Sequence, residues 1–350
     1  MARSPRKTNA SGETGIQSQS ALPTIRAVAA YANVSIATVS RVLNGLDAHA
    51  NQETSERVKQ AAIVLGYKPA HAGRALRLQQ TKLVALLMPD ISNAFYAAIA
   101  HSIEIALRAR DYTMILCNTD EDPKLQDFYL QEMQAYRVRG IALLGAVESP
   151  GLSFALDKGL PIIFVNRRPP DKGTFVGIDN YAAGRAVAEH FLTQGFVSCA
   201  VIHGPLHSSA SRERYEGFSN RLEEAGRSLP KTNIVPSNLS AESGYEAARW
   251  LIREQSYPRA IFCANDLVAY GLFRYCRERS LRVPDDVAIF GFDDNPMNEW
   301  ISPWLSTIRI PYDVFGSAVT QALFNMWDGI GVKDVESILP FTVKLRGSAE

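Results

Sequence analysis

The chain has 350 residues, of which 46% are hydrophobic and 21% charged, and its formal net charge is +1. That length supports two or three domains with a sizeable core, and the composition excludes a collagen-like, low-complexity or wholly disordered polymer. The small net charge hides an asymmetry, because residues 1–82 carry 11 Lys/Arg against 4 Asp/Glu and the remainder carries 26 against 32; a basic head on an acidic body is the footprint of a protein that meets nucleic acid at one end.

In chain order, residues 1–23 hold Arg3, Arg6 and Lys7 among Ser, Thr, Gly and Gln, with no apolar h-region. They read as a disordered arm rather than a secretory signal. From Thr24 to about Gln80 the pattern is helical. Thr24 can cap a helix ending near Tyr31, Ala32-Asn33-Val34 form a turn, and Ser35 caps a second helix over residues 36–43. Ile25, Val28, Val34, Val39 and Val42 are spaced to pack the two helices, with Ala29 and Ala32 small where they must cross closely. This is helix-turn-helix geometry, which offers its second helix to the major groove. A third helix begins near Asn51 and closes at Leu65-Gly66.

From Thr81 onward, short apolar runs (83–88, 112–117, 141–144, 161–165, 199–202, 260–263 and 287–290) alternate with amphipathic stretches (94–110, 123–137, 181–194, 211–225, 241–255 and 267–279). Buried strands alternating with helices predict a doubly wound parallel sheet. So long a stretch exceeds what one sheet needs, so two similar lobes are expected. No run approaches the ~20 apolar residues that span a bilayer. Cys117, Cys199, Cys263 and Cys276 lack CxxC or zinc spacing and read as reduced thiols in a cytoplasmic protein, with no cofactor or metal expected.

There is no GxGxxG, P-loop, HExxH or GxSxG, so no enzyme chemistry is assigned. Ligands of open α/β sheets bind beyond the carboxyl ends of strands. Polar groups gather at those ends: Asp90, Asn93 and the ring of Phe95; Asn118 and Asp120; Asn166, Arg167 and Arg168; Asn265 and Asp266; Asp293 and Asp294. Each can equally cap the following helix. As a set, amides, carboxylates and arginines around an aromatic ring suit a polyhydroxylated ligand.

The string Thr24-Ile25-Arg26-Ala27-Val28-Ala29 with Val34-Ser35-Ile36-Ala37-Thr38-Val39-Ser40-Arg41-Val42-Leu43-Asn44 resembles the helix-turn-helix of the lactose-repressor (LacI/GalR) family. So do Pro89-Asp90-Ile91-Ser92-Asn93, Val176-Gly177-Ile178-Asp179-Asn180, Arg212-Glu213-Arg214-Tyr215-Glu216-Gly217-Phe218 and Asn265-Asp266-Leu267-Val268-Ala269 in the body. The resemblance implies an all-α head (24–69), a hinge helix (70–80) and a two-lobed body (81–350) of the type I periplasmic-binding-protein fold. It places Thr24, Ser35, Ile36, Ala37, Thr38, Ser40, Arg41 and Asn44 at DNA. Arg41 is suited to guanine, Ile36 and Ala37 to thymine methyls, and Thr38, Ser40 and Asn44 to phosphate. Leu76, with Arg77 beside it, would wedge into the minor groove. Asp90, Asn93, Phe95, Asn166, Arg214, Asn265 and Asp293 would contact an effector.

The expected protein is a dimeric transcription repressor on a pseudo-palindromic operator, controlled by a sugar or sugar acid in the cleft. The anionic case is favoured if Arg167 or Arg168 faces that cleft. A sugar-binding transport protein of the same fold is the alternative, and residues 24–77 weigh against it.

Overall fold

The computed structural model describes residues 23–43, 51–67, 81–253, 257–330 and 334–350. The chain divides into two compact units, with the break between Gln79 and Gln80. Asn44, Leu76, Arg77 and the expected hinge helix lie outside the described residues.

In the first unit, α1 (Ile25–Tyr31) starts where the Thr24 hydroxyl accepts from the Ala27 amide at 3.3 Å. The turn passes through Asn33 at φ 51°, a left-handed conformation that Asn tolerates better than most residues. Ser35 Oγ then accepts from the Thr38 amide at 3.1 Å to open α2 (Ile36–Leu43). Asn51 Oδ1 caps α3 (Gln52–Val64) through the Thr54 amide at 2.8 Å, and Gly66 stops it at φ +64°. Val28, Ala32, Val39, Val42, Val58 and Ala61 form the core of this small unit. Arg57 Nε fastens α3 to the turn by donating to the Ala32 carbonyl at 2.9 Å.

The second unit runs β1 (Leu83–Met88), α4 (Ala94–Arg108), β2 (Thr113–Asn118), α5 (Pro123–Ala135), β3 (Gly140–Leu144), α6 (Pro150–Asp157), β4 (Ile162–Val165), β5 (Thr174–Ile178), α7 (Asn180–Thr193), β6 (Cys199–His203), α8 (Ser209–Glu224), β7 (Ile234–Pro236), α9 (Ala241–Leu251), β8 (Ala260–Cys263), α10 (Asp266–Glu278), β9 (Ala288–Asp293), α11 (Asn298–Ile301), β10 (Ser306–Arg309), α12 (Tyr312–Trp327), β11 (Glu336–Leu339) and β12 (Thr342–Lys344). Two six-stranded sheets result, ordered β11-β5-β4-β3-β1-β2 and β12-β10-β9-β8-β6-β7. Every pairing is parallel except β10 with β12. The chain therefore passes between the sheets three times: after β5, after β10 and after β11.

All seven strand runs read from the sequence are present, with ends shifted by a residue or more in most. Five strands (β5, β7, β10, β11 and β12) and three helices (α6, α11 and α12) were not among the expected elements. The helices α7 and α8 cross at glycines. A Cβ on Gly184 would lie 2.1 Å from the Arg214 carbonyl oxygen, and one on Gly217 2.1 Å from that of Tyr181. This close crossing fixes the backbone from which Arg214 projects.

Candidate ligand cleft and nucleic-acid interface

In the helix-turn-helix unit, Val39 and Val42 are buried against α1 and α3. Ile36, Ala37 and Arg41 are all exposed. Positions 36, 37, 40 and 41 share one helix face, so that face combines two apolar groups, a hydroxyl and a guanidinium. Arg41 Nε donates to the Ala37 carbonyl at 3.3 Å, which lays the side chain along the helix. The hydroxyls of Thr24 and Ser35 cap their helices, and those of Ser35 and Thr38 lie 2.9 Å apart in a mutual hydrogen bond. These three therefore have a structural task independent of any phosphate.

In the body, residues at the carboxyl ends of β4, β8 and β9 and the first turns of α4 and α8 close around one cavity. One sheet's side supplies Asn93, Phe95, Tyr96, Asn166 and Arg167; the other supplies Ser208, Ala210, Ser211, Arg214, Leu239, Asn265 and Asp293. Six of the expected effector residues are thus brought together. Asp90 is not in this wall. It is exposed, and its Oδ1 accepts from the amide and hydroxyl of Ser92 at 2.8 and 2.7 Å, shaping the turn before α4.

Arg214 is the centre of the wall. Its Nε donates to Asn180 Oδ1 at 2.8 Å, its Nη1 donates to the Ala264 carbonyl at 2.9 Å, and the guanidinium lies 3.5 Å from the centroid of Phe292. Burial lowers its pKa, with Asp293 opposing that shift. Asp293 Oδ1 sits 3.7 Å from Arg214 Nη1, beyond hydrogen-bond range, and has no hydrogen-bond partner among the described residues. Burial pushes the Asp293 carboxyl well above its usual range despite the neighbouring guanidinium. Ser208 Oγ is likewise buried and unpartnered. Asn265 makes two hydrogen bonds, accepting from the Val268 amide at 2.9 Å as the cap of α10 and donating to the Leu239 carbonyl at 3.0 Å. Asn93 Oδ1 caps α4 through the Phe95 amide at 3.0 Å.

Phe95 packs edge-on against Tyr96 and Tyr312, with centroids 4.9 and 6.1 Å apart. Tyr96 was not anticipated as part of the wall; burial pushes its phenol up to about 12, opposed by Arg167. The two arginines after β4 part company. Arg167 faces the cavity and pairs with Glu121. Arg168 turns away, bridging Glu213 at 3.0 Å and Glu336 at 2.6 Å, while its amide donates to Ser209 Oγ at 2.8 Å. Ser211, Leu239 and Asn180 also serve the site unannounced. No group of three or more His, Cys, Asp or Glu among the described residues could hold a metal ion, and no described helix is long and apolar enough to cross a membrane.

A helix-turn-helix unit on the same chain as a two-sheet α/β unit, with a polar cavity between the sheets, defines a DNA-binding regulator with a periplasmic-binding-protein-like body. Residues 24–70 match the family model for bacterial regulatory proteins of the lacI family, and residues 188–349 match that for a periplasmic binding protein-like domain. The HTH-type transcriptional regulator DegA of Bacillus subtilis (strain 168) is 34% identical over 299 residues, covering 84% of this chain and 88% of that protein. The solved structure of the transcriptional regulator CelR in complex with cellobiose matches with a TM-score of 0.71 at 28% identity, covering 93% of this chain and 99% of the other. The lac repressor dimer bound to operator and the anti-inducer ONPF matches in fold, with a TM-score of 0.85 at 24% identity and the same coverage. The chain belongs to the lacI family and is a DNA-binding transcription regulator.

Proposed function

We propose that this regulator is a homodimeric repressor that acts in the cytoplasm on a pseudo-palindromic operator and is controlled by a polyhydroxylated small molecule held in the cleft. The observation that carries the ligand class is the pair of buried, unpartnered polar groups in the wall, Asp293 Oδ1 and Ser208 Oγ. A buried acceptor left unmade costs about 1–3 kcal/mol, and a ligand hydroxyl that donates to the carboxylate removes that penalty. Phe95 gives the apolar face against which a sugar ring packs. The cavity measures about 30 Å3, far below the roughly 300 Å3 of a typical small-ligand site. A sugar therefore enters only as the lobes part, and its binding favours one lobe arrangement over the other, which is what effector control of DNA affinity requires.

The basic head is proposed to supply the phosphate contacts and the exposed face of α2 the base contacts. The test is fluorescence anisotropy on an operator selected from random duplexes. Log K is expected to fall by about 0.9 per phosphate contact per log unit of salt. Arg41→Ala is expected to cost about 1–3 kcal/mol per half-site and to flatten the preference at one guanine. Salt-insensitive binding, or an Arg41→Ala loss equal on every base variant, contradicts this assignment.

Dimerisation is supported by Met297, Trp300 and Ile301, three exposed apolar side chains at i, i+3 and i+4 on and beside α11, with Trp300 79% exposed. Patches of this kind mark protein interfaces. Trp300→Glu combined with Ile301→Glu is expected to yield monomers in sedimentation velocity at micromolar concentration and to weaken binding to a two-half-site operator at least tenfold. A persisting dimer places the interface elsewhere.

A further inference from the structure

We propose that the effector is a sugar acid, and that Glu121 is the internal surrogate for its carboxylate, holding Arg167 until the ligand arrives. This deepens the cleft reading above and rests on it. The cavity wall contains two guanidiniums, Arg167 and Arg214, and one carboxylate, Asp293. Asp293 lies beside Arg214. The other residues that this side supplies to the wall, Asn93, Phe95, Tyr96 and Asn166, are neutral. The counter-charge of Arg167 comes from outside the wall: Nη2 donates to Glu121 Oε1, while Nη1 makes only a long contact of 3.4 Å to the Gly145 carbonyl.

The two partners of this pair differ in surroundings. The Arg167 side chain is 3% exposed and that of Glu121 32% exposed. A buried guanidinium needs an anion, whereas a carboxylate already about one-third exposed can return to water at little cost. Glu121 also holds its other oxygen 3.9 Å from Nε2 of His207, on the loop after β6 in the opposite lobe. It thus spans from Arg167 on one side towards His207 on the other.

A neutral sugar leaves Arg167 dependent on Glu121 and the Glu121–His207 contact between the lobes in its present arrangement. A carboxylate on the ligand takes the Arg167 fork in the bidentate geometry that guanidinium favours. It gives Arg167 an anion inside the wall and releases Glu121 to solvent and from His207. Charge selectivity and release of the contact between the lobes then have one cause.

The test uses the full chain and calorimetry with D-glucuronate, D-galacturonate and D-gluconate, each against its neutral parent, D-glucose or D-galactose. At least one acid is expected to bind tenfold or more tightly than its parent. Glu121→Gln is expected to tighten that acid a further tenfold while leaving the parent unchanged, and Arg167→Gln to erase the difference between acid and parent. Arg167→Lys guards against misfolding, since it keeps the charge and should retain part of the preference. Parents binding as tightly as acids, Glu121→Gln weakening the acid, or no acid binding at all each overturns the proposal. Failure of the cleft reading is separately visible: an acid whose affinity is untouched by both Arg167→Gln and Arg214→Ala binds somewhere else. A neutral sugar whose binding is lost in Arg214→Ala leaves the cleft in place and removes only the charge assignment.

Discussion

Arg214→Ala is expected to abolish the response of operator binding to effector while leaving ligand-free operator affinity within about twofold, because the head folds around its own core and shares no residue with the cleft. The side chain makes two hydrogen bonds and stands beside Asp293. Removing it deletes the cation that stands beside a carboxyl group already buried and short of partners among the described residues. Breaking one side of such a pairing costs about 3–5 kcal/mol, so a large fall in the urea midpoint should accompany the functional loss. The two effects can be separated. Arg214→Met with Asp293→Leu removes both charges and should regain much of the stability, since a well-packed apolar pair replaces a buried ionic one at little cost, yet it should remain deaf to effector. An Arg214→Ala protein that still responds normally would place the effector outside this cavity.

A comparably large effect is expected from Asp266, which lies behind the cavity wall rather than in it. Its carboxylate accepts from the Asn295 amide at 2.7 Å, Asn298 Nδ2 at 2.8 Å and Thr307 Oγ1 at 2.7 Å, tying α10 to the loop after β9 and to β10. Asp266→Ala strands three buried donors and should destabilise the body by about 3–5 kcal/mol, at roughly 1–3 kcal/mol for each charged hydrogen bond less what water recovers. Its pH dependence has a definite sign. Burial raises the Asp266 carboxyl from 3.8 to about 6, against the pull of its three donors. Between those values the folded protein keeps a proton that the unfolded chain has released, so the stability Asp266 contributes falls as pH rises through that window, by up to about 1.4 kcal/mol per unit. The gap between wild type and Asp266→Ala in urea unfolding should therefore widen from pH 7.5 to pH 5. A gap that narrows on acidification would mean that the carboxylate is held charged.

The head was legible because its punctuation is local. Thr24, Ser35 and Asn51 cap within three residues of themselves, and Gly66 stops its helix through its own backbone angle. The inner strands were legible as short runs of buried apolar residues. What escaped was decided by distant chain. β11 and β12 are mostly exposed edge strands, with little hydrophobic signal of their own. α12 buries Phe315, Val319 and Leu323 at clear helical spacing, but it begins at Pro311 with no side-chain cap, so the usual start signal is missing. In the cleft, strand ends pointed to the right neighbourhood. Sequence could not decide between turn-shaping and cavity-facing roles for Asp90, nor tell that Arg167 faces the cavity while Arg168 bridges Glu213 and Glu336. Leu239 enters the wall from a loop at φ 68°, a position that no motif marks.

The threefold passage between sheets bears on how the protein is made. The sheet begun by β1 is finished only by β11, at Glu336–Leu339, and α4 is covered by α12, whose Gly316 amide donates to Ser102 Oγ at 2.9 Å. During synthesis the head can fold as soon as it clears the ribosome, but the first lobe must wait for roughly 150 further residues after β5, on the order of 10–30 s at bacterial elongation rates. Through that interval the outer edge of β5 and the apolar face of α4 stay uncovered, and strand edges of this kind invite aggregation. The nascent body is therefore expected to depend on chaperones in a way the head does not, and neither lobe can be produced alone by cutting the gene at a single point.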